Sequence, residues 1–176
     1  MVDGQLDELT GAYSRGALTL GLKQLDGDHR AKGGPYAIAM LDVDHLKTVN
    51  DVYGHAAGDA ILQTVVKRAQ HALRASDRMF RYGGDEFVIL LPGANHAEAT
   101  AVLQRVRDNV IGTPVDAGHR LTVTVSVGVA ASDELRDADP SATMLRADKR
   151  LYQAKRGGRN SVVADERVVR RHSTTA

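Results

Sequence analysis

Two glycines followed by two carboxylates separate a short strand-like run from a longer apolar run. Gly83 and Gly84 are typical of a two-residue hairpin turn in which both glycines take positive φ, and Asp85 and Glu86 follow at once. From Phe87 the chain is continuously apolar, as in a strand buried on both faces. Carboxylates at the mouth of such a strand need a cation, a hydrogen-bond donor or water. The pattern therefore predicts a polar functional site on a hairpin.

A second pair of acids, Asp42 and Asp44, ends another apolar run at 36–41. If the two pairs of acids meet, their carboxylates repel one another unless a cation lies between them. Oxygen ligands without His or Cys select a hard ion, Mg²⁺ or Mn²⁺. The alternative is that these acids are helix caps or surface residues, which is the better interpretation for either aspartate alone. Two pairs, each beside a buried strand, favour the metal.

The spacing of apolar residues predicts the elements that position these acids. Helices are expected at 13–25, 56–74, 96–110 and 141–155, with a short helical turn at 45–52 and a loop at 26–35. Strands are expected at 36–41, in the hairpin 78–91, at 121–130 with one more polar face, and at 161–164. This order indicates an α+β, ferredoxin-like or palm-type β-α-β-β-α-β core, with a central antiparallel sheet flanked by helices. Antiparallel pairing of the first and third strands would bring Asp42 next to Asp85.

The composition fits one globular domain and excludes several classes of protein. The 176 residues are too few for two ordinary domains, and 43% hydrophobic with 26% charged residues is an ordinary balance. A net charge of +1 gives no overall field that would attract DNA, no run is long enough for a membrane span, and the lack of cysteine excludes disulfides. We expect a cytoplasmic protein with a connector at 1–12, one domain at 13–164 and a flexible tail at 165–176.

The chain resembles the diguanylate cyclase family over nearly its whole length. The family's hallmark, Gly-Gly-Asp/Glu-Glu-Phe, stands here at Gly83–Phe87. Three further blocks follow the family's order and spacing: Asp7–Arg15, Asp42–Asp59 and Ala147–Asn160. The chain departs from the pattern at Ala12, at Ser14, where Asn is usual, and at Leu46, where Phe is usual. Five residues could match by chance, whereas four ordered blocks make the resemblance specific.

The resemblance implies an enzyme that condenses two GTP into cyclic di-GMP and releases two pyrophosphates. Each domain would hold one GTP, and two domains would face each other so that each 3′-hydroxyl attacks the partner's α-phosphate. A homodimer is therefore implied, because one chain holds half of the active site. Members of the family usually follow a sensor or a dimerising segment, and such an upstream segment is expected to control this domain.

The resemblance also assigns the residues around the acids. Asp42, the Val43 carbonyl and Asp85 would hold Mg²⁺ or Mn²⁺, and Asp85 or Glu86 would help to deprotonate the 3′-hydroxyl. Gly83 and Gly84 would allow the backbone to approach the nucleotide. The backbone amides of His45 and Leu46 would bind phosphate at the start of a helical turn, so the Leu46 departure leaves that contact possible.

Four further residues would bind the rest of the nucleotide. Asn50 and Asp59 would recognise guanine, since a carboxylate accepts from N1–H and N2–H₂, donors that adenine lacks at those atoms. Lys155 and Arg159 would bind the outer oxygens of the triphosphate. Without the resemblance, Asp59 is better interpreted as the N-cap of the following helix, Asn50 as a solvated helix end, and the two cations as solvent-facing charges near a helix C-terminus.

Arg74 and Asp77 have the spacing of an Arg-x-x-Asp motif shortly before the hairpin. In the family, this motif at this offset binds product dimers and inhibits the enzyme, and Arg105 is expected to join from the partner. A helix-end ion pair is the alternative for Arg74 and Asp77, and such pairs contribute little to stability. The fixed distance to Gly83 favours the inhibitory site.

Two other functions remain open from the sequence. The chain could be a non-catalytic module that senses GTP or cyclic di-GMP, although a relic domain usually loses one of the acids or the cations Lys155 and Arg159. It could also be a palm-type cyclase or polymerase for other nucleotides. Asn50 and Asp59 favour guanine over that alternative.

Overall fold

A computed structural model describes residues 5–112, 114–134 and 139–165, which contain five α-helices and seven strands. The helices are α1 Arg15–Lys32, α2 Leu46–Tyr53, α3 His55–Gln70, α4 His96–Ile111 and α5 Pro140–Arg156. The strands are β1 Tyr36–Val43, β2 Arg78–Arg81, β3 Glu86–Pro92, β4 Val115–Asp116, β5 Arg120–Leu121, β6 Val125–Ala131 and β7 Val162–Val163. No helix within these described ranges is both long and apolar enough to cross a membrane.

Five of the strands form the main sheet, in the order β2-β3-β1-β6-β7. β1 pairs antiparallel with β3 on one side and with β6 on the other, whereas β7 joins β6 in parallel. The four adjacent strands β2, β3, β1 and β6 therefore have the ferredoxin-like arrangement, and the predicted fold class is confirmed. The β1–β3 register places Leu41 opposite Phe87 and Asp42 opposite Glu86.

Helices cover both faces of the sheet, and β1 supplies apolar side chains to both. Ala37, Ala39 and Leu41 belong to the core cluster that includes the inner residues of α3 and α4. Tyr36, Ile38 and Met40 belong to the second cluster, with residues of α1 and α5. Because β1 is buried along its whole length, residues 36–41 form a continuous apolar run rather than an alternating one.

The first helix is longer than its sequence predicts. Residues 26–32, which the glycines mark as loop, continue α1 to Lys32, and the prediction of a loop from residue 26 is wrong. Two ion pairs at i,i+4 spacing, Asp26–Arg30 and Asp28–Lys32, lie in this added part. Gly33 then ends the helix with a φ of 68°, a conformation that favours glycine.

The strand predicted at 121–130 is also corrected. Residues 122–124 separate β5 from β6, so the alternating sequence is not one continuous strand. β6 is buried on both faces because α4 contacts it from one side and α5 from the other, so its small polar residues do not form a solvated face. Gly128 permits the close approach of α5, since a Cβ there would lie 2.1 Å from the carbonyl oxygen of Ala147.

The hairpin turn differs from the predicted two-residue turn. Tyr82 N–H and Gly83 N–H both donate to the Glu86 carbonyl, at 2.8 and 3.1 Å, so Gly83, Gly84 and Asp85 form a three-residue loop. Neither glycine has a positive φ, and the prediction of a type I′ turn is wrong. A Cβ at Gly84 would meet no atom within 4 Å, so the loop leaves open space there.

The ends of the chain are described only in part. Residues 5–12, the described part of the predicted connector, include a turn in which Gly11 has a φ of 72° and its N–H donates to the Asp7 carbonyl. Directly after this turn, Tyr13 N–H donates to the Met79 carbonyl of β2. Of the predicted tail, all but Asp165 lies outside the described residues.

Candidate active site

The end of β1 and the hairpin loop are joined by a backbone hydrogen bond. Val43 N–H donates to the Asp85 carbonyl at 3.0 Å, one residue beyond the pairing of Asp42 with Glu86. The two acidic segments, separated by some forty residues of sequence, therefore lie side by side where β1 ends and β3 begins. This is the juxtaposition that the predicted topology requires.

Asp42 is a buried acid with one cationic partner. The residue is only 7% exposed, and Lys155 Nζ donates to its Oδ2 at 2.7 Å. Burial raises the pKa of Asp42 to about 6; the negative charges of Asp85 and Glu86 act in the same direction, and the hydrogen bond from Lys155 opposes them. The site therefore holds more negative charge than one lysine balances.

Asp85 and Glu86 lie at the lip of this site with their carboxylates unengaged. Both residues are half-buried, and neither side chain makes a hydrogen bond or ion pair with any of the described residues. Three acids beside one ammonium group leave a local negative charge that attracts a cation. The carboxylates are thus available to a metal ion or to a substrate hydroxyl.

Asp44 differs from the other three acids because its carboxylate is fully engaged in hydrogen bonds. The prediction that four acids share one site is therefore corrected to three. Its carboxylate accepts hydrogen bonds from Thr124 Oγ1 and Ser126 Oγ, both at 2.7 Å, and from Asn160 N–H at 3.0 Å. Arg107 Nε in turn donates to the Asn160 carbonyl at 2.9 Å. Asp44 therefore joins the start of β6 to the loop after α5, which is a structural role.

The donor set at this edge fits magnesium better than a metal held entirely by protein. Within the described ranges, no group of three or more His, Cys, Asp or Glu side chains is placed to hold a metal ion. Two carboxylates, Asp42 and Asp85, together with the Val43 carbonyl supply only oxygen. Mg²⁺ typically takes one or two protein carboxylates and completes its shell with water and substrate phosphates. The residues present fit that mode of binding.

The start of α2 lies directly after the acid-bearing end of β1. His45 is its N-cap and has a φ of 59°, an uncommon conformation for a residue with a side chain. Leu46, the first helical residue, is buried, whereas His45 is exposed. The first amides of a helix have no intrahelical acceptor, so those of His45 and Leu46 can serve an anion beside the acids.

Asp59 lies inside α3 rather than at its start. The N-cap of α3 is Gly54, so the interpretation of Asp59 as a helix cap is wrong. Asp59 is exposed, and its carboxylate makes no hydrogen bond or ion pair with the described residues. Asn50, on the adjoining helix α2, has a buried Oδ1 atom without a hydrogen-bond partner. Neither the Asp59 carboxylate nor the Asn50 carboxamide forms a hydrogen bond with a described residue.

The two predicted triphosphate ligands differ in their present contacts. Lys155 is engaged with Asp42, as described above. Arg159 is exposed in the loop after α5, with a φ of 63° and a backbone N–H that donates to the Ala154 carbonyl. Its guanidinium contacts no described partner. One cation is therefore bound to the acid cluster, and the other is free.

Arg74 and Asp77 form a closed turn between α3 and β2. Arg74 N–H donates to Asp77 Oδ2 at 2.8 Å, and Asp77 N–H donates to the Arg74 carbonyl at 3.0 Å. Burial raises the pKa of Asp77, with hydrogen bonding and the Arg74 charge opposing it. A cavity of about 270 Å³ lies between this turn, Gln70 and the Gly11–Tyr13 segment. Arg105 is exposed on α4 without a described partner.

One feature of the site, a clamp formed by Arg81 and Asp7, has no counterpart among the predicted site residues. Arg81 donates to the carbonyls of Gly83 and Gly84, at 3.3 and 3.0 Å, and to both carboxylate oxygens of Asp7. Burial pushes the pKa of Asp7 upward, but hydrogen bonds from Thr10 and the charge of Arg81 outweigh it and leave that pKa below its usual value. Asp7 stands in a recognised sequence block, but its contact with Arg81 depends on the fold.

Comparisons with known proteins agree with this arrangement. A family model described as diguanylate cyclase, GGDEF domain, matches residues 4–161. The response regulator PleD of Caulobacter vibrioides is 39% identical over 160 residues, which are 89% of this chain and 35% of that protein. The chain thus spans about a third of that relative's length.

Two solved structures show the same fold. Diguanylate cyclase SiaD of Pseudomonas aeruginosa, solved with its activator SiaC, has a TM-score of 0.84 and 40% identity, covering 90% of this chain and 60% of that chain. The GGDEF domain of DgcB from Caulobacter crescentus, solved with c-di-GMP, has a TM-score of 0.86 and 29% identity, covering 94% and 96%.

Proposed function

The chain belongs to the GGDEF diguanylate cyclase family, and we propose that it condenses two GTP into cyclic di-GMP with Mg²⁺ or Mn²⁺ as cofactor. The observation that carries this proposal is that Asp42, Asp85 and Glu86 lie together where β1 ends and β3 begins, with Lys155 bound to Asp42. Two carboxylates that could hold a metal ion, a further carboxylate beside them and a nearby helix start suit the transfer of a nucleotidyl group.

In the proposed reaction, the 3′-hydroxyl oxygen of one GTP forms a bond to the α-phosphorus of the other. The bond from that phosphorus to the bridging oxygen breaks, and pyrophosphate leaves with the bonding electrons. Asp85 or Glu86 accepts the hydroxyl proton, since both carboxylates lack other partners. Asp42, Asp85 and the Val43 carbonyl would hold the metal ion, which would offset the charge on the phosphates.

The remaining contacts of the nucleotide are proposed from the same layout. The first amides of α2 bind phosphate, and Arg159 binds the outer phosphates through its free guanidinium. Lys155 would divide its charge between Asp42 and the triphosphate. Asn50 and Asp59 would recognise the guanine base, because Asp59 presents a carboxylate without another partner.

We propose that catalysis requires two copies of the chain, because the hydroxyl and the phosphate that react belong to two nucleotides. An upstream sensor or dimerising segment would bring the copies together. Arg74, Asp77 and, from the partner, Arg105 would bind cyclic di-GMP and hold the copies in an inactive arrangement. The turn and the adjoining cavity support this inhibitory role, which is independent of the acids.

The direct test is to incubate the chain with GTP and Mg²⁺ at high protein concentration and to identify the product by chromatography and mass spectrometry. We expect cyclic di-GMP, and at least a 100-fold lower rate for Asp85→Asn, a loss typical of a removed acid-base or metal-binding group. Asp28→Asn, on the exposed surface of α1, is the matched control. If copies held together by a fused dimerising segment still make no product, the cyclase proposal fails; nucleotide binding without product would favour the sensing module.

A further inference from the structure

Gly58 occupies a helical position at which the backbone does not require glycine. It is the fourth residue of α3, its φ is not in the left-handed region, and it is buried. Glycine is a poorer helix former than alanine at such a position. A packing contact, and not the backbone conformation, must therefore explain why no side chain is present.

That contact is with the side chain of Asn50 on the preceding helix. A Cβ at Gly58 would lie 1.9 Å from Asn50 Oδ1, 2.9 Å from Cγ and 3.3 Å from Nδ2. The first two distances are shorter than van der Waals contact allows. The carboxamide of Asn50 thus fills the space that any side chain at Gly58 would need.

In this contact the oxygen end of the carboxamide faces Gly58 and the nitrogen end lies farther out. Oδ1 is buried against Gly58 and accepts no hydrogen bond, a costly arrangement for a polar atom. Nδ2 lies farther from Gly58 and is not among the buried unpaired atoms, and no described residue accepts a hydrogen bond from it. The exposed end of Asn50 is therefore a hydrogen-bond donor.

We propose that Gly58 is a positioning residue for nucleotide recognition. The space it leaves holds the Asn50 carboxamide so that Nδ2 points outward as a donor to an acceptor on the base, such as guanine O6. This inference rests on the proposed use of GTP, and it adds to that proposal how Asn50 is oriented. A role of Gly58 in packing against residues other than Asn50 would not depend on the side chain at position 50, and a purely structural role would change the melting temperature without changing the affinity for the nucleotide.

Binding of 3′-deoxyguanosine triphosphate tests the inference, because this nucleotide lacks the attacking hydroxyl and cannot be consumed. The affinity is measured by calorimetry for the wild-type chain, for Gly58→Ala, for Asn50→Ala and for the double variant. Gly58→Ala should weaken binding about tenfold, as the loss of one hydrogen bond does. In the Asn50→Ala background, the same change should alter the affinity by less than about twofold, because the side chain with which position 58 is coupled is then absent.

Gly27→Ala is the matched control, because a Cβ at this other helical glycine meets no atom within 4 Å. It should leave the affinity unchanged. Wild-type affinity in Gly58→Ala would overturn the inference, as would a tenfold loss that persists in the Asn50→Ala background. If Gly58→Ala lowers the melting temperature, the double variant should restore it, and failure to do so also contradicts the inference. A wild-type chain that does not bind the nucleotide contradicts the proposed function itself, whereas binding without dependence on Gly58 contradicts only this step.

Discussion

Asp42 is the residue at which the charges of the site converge. It is buried, it binds Lys155 at 2.7 Å, and it lies close enough to Asp85 and Glu86 for their charges to raise its pKa. A metal ion and a triphosphate would change all of these contacts together, because the ion would offset the acids and the phosphates would attract the lysine. Single residues here are therefore coupled, and effects of their substitution should not add.

Asp59 should affect recognition of the base more than the chemistry. In Asp59→Ser we expect the KM for GTP to rise by about 100-fold, with a much smaller change in kcat, because a charged acceptor for two guanine donors is lost. Steady-state kinetics with GTP measure both values. Asp51→Asn, an exposed acid paired with Lys47, is the control and should change neither by more than a small factor. A fall in kcat at unchanged KM would contradict the assignment of Asp59 to the base.

Sequence alone predicts the meeting of Asp42 and Asp85, because two buried strands joined through a hairpin and a helix have few possible pairings. It does not predict that hydrogen bonds from three other residues engage the Asp44 carboxylate. That outcome depends on Thr124, Ser126 and Asn160, which reach Asp44 only once β6 and the loop after α5 are in place. The pairing of Lys155 with Asp42 is equally a product of tertiary packing.

At the scale of elements, the hairpin loop is held by a contact from the N-terminal segment. Arg81 joins the Gly83 and Gly84 carbonyls to Asp7, whose carboxylate also accepts from Thr10 Oγ1 at 2.7 Å. The loop carries Asp85, so its conformation sets where that carboxylate lies. The clamp therefore couples the beginning of the domain to the hairpin loop.

Breaking this clamp should reduce turnover more than nucleotide binding. For Asp7→Asn we expect kcat to fall about tenfold, because a small displacement of a catalytic group is costly, while the KM for GTP changes little. Asp26→Asn, which removes an exposed ion pair on α1, is the control. Unchanged kcat in Asp7→Asn would show that the loop keeps its conformation without the clamp.

A second element-scale contact joins α5 to the end of β6. Arg150 donates to Glu134 Oε1 and Oε2, at 3.0 and 2.6 Å, and to the Val129 carbonyl, and its side chain is almost fully buried. Burial acts to raise the pKa of Glu134, but the hydrogen bonds and charge of Arg150 prevail and hold it below its usual value. The ionised pair therefore stabilises the folded state.

Glu134→Gln should lower the free energy of unfolding by about 2–4 kcal/mol at pH 7, since it leaves a buried arginine without its counter-ion. A lowered folded-state pKa contributes stability above the unfolded value, near 4.5, and that contribution is lost as the pH falls through the lower folded value. The difference between wild type and variant should therefore shrink below pH 4.5. Urea unfolding at several pH values measures it, and a difference independent of pH down to pH 3 would contradict the prediction.

The elements also show where prediction from sequence stops. The apolar stripes of α3 and α4 predict both helices because their inner faces pack on the sheet, although α3 ends at Gln70 and not at the predicted residue 74. The alternation at 121–130 is misleading, since α5 covers a face that a two-layer sheet would expose. Gly128 is the local signal of that cover, because only a residue without a side chain allows the α5 backbone so close.

At the scale of the whole molecule, the acid cluster and the Arg74–Asp77 turn are separate features of one domain. The acid cluster lies where β1 ends and β3 begins, and the Arg74–Asp77 turn lies between α3 and β2. If product binds at the turn, inhibition and catalysis can be separated by substitution. In Arg74→Ala, the initial rate should stay within about twofold of wild type, while inhibition by added cyclic di-GMP should weaken by at least about tenfold, because a charged hydrogen-bond donor is lost.

Initial rates at increasing cyclic di-GMP concentration measure this effect. Arg78→Ala is a suitable control, because Arg78 is an exposed arginine of the neighbouring strand β2 whose guanidinium bonds Gln24 rather than lining the cavity. If the same concentration of cyclic di-GMP inhibited Arg74→Ala and the wild type, the proposal that the turn binds the inhibitor would be contradicted.

The requirement for two copies is tested most directly by the dependence of the rate on protein concentration. Cyclic di-GMP formation from saturating GTP and Mg²⁺ is followed over a 100-fold dilution of the chain. If each copy supplies half of the active site, the rate per protein should fall in proportion to dilution once the copies are mostly apart, and it should become independent of dilution when a fused dimeriser holds them together. A rate per protein that stays constant for the unfused chain while it is monomeric would contradict this account, because one copy would then suffice for catalysis.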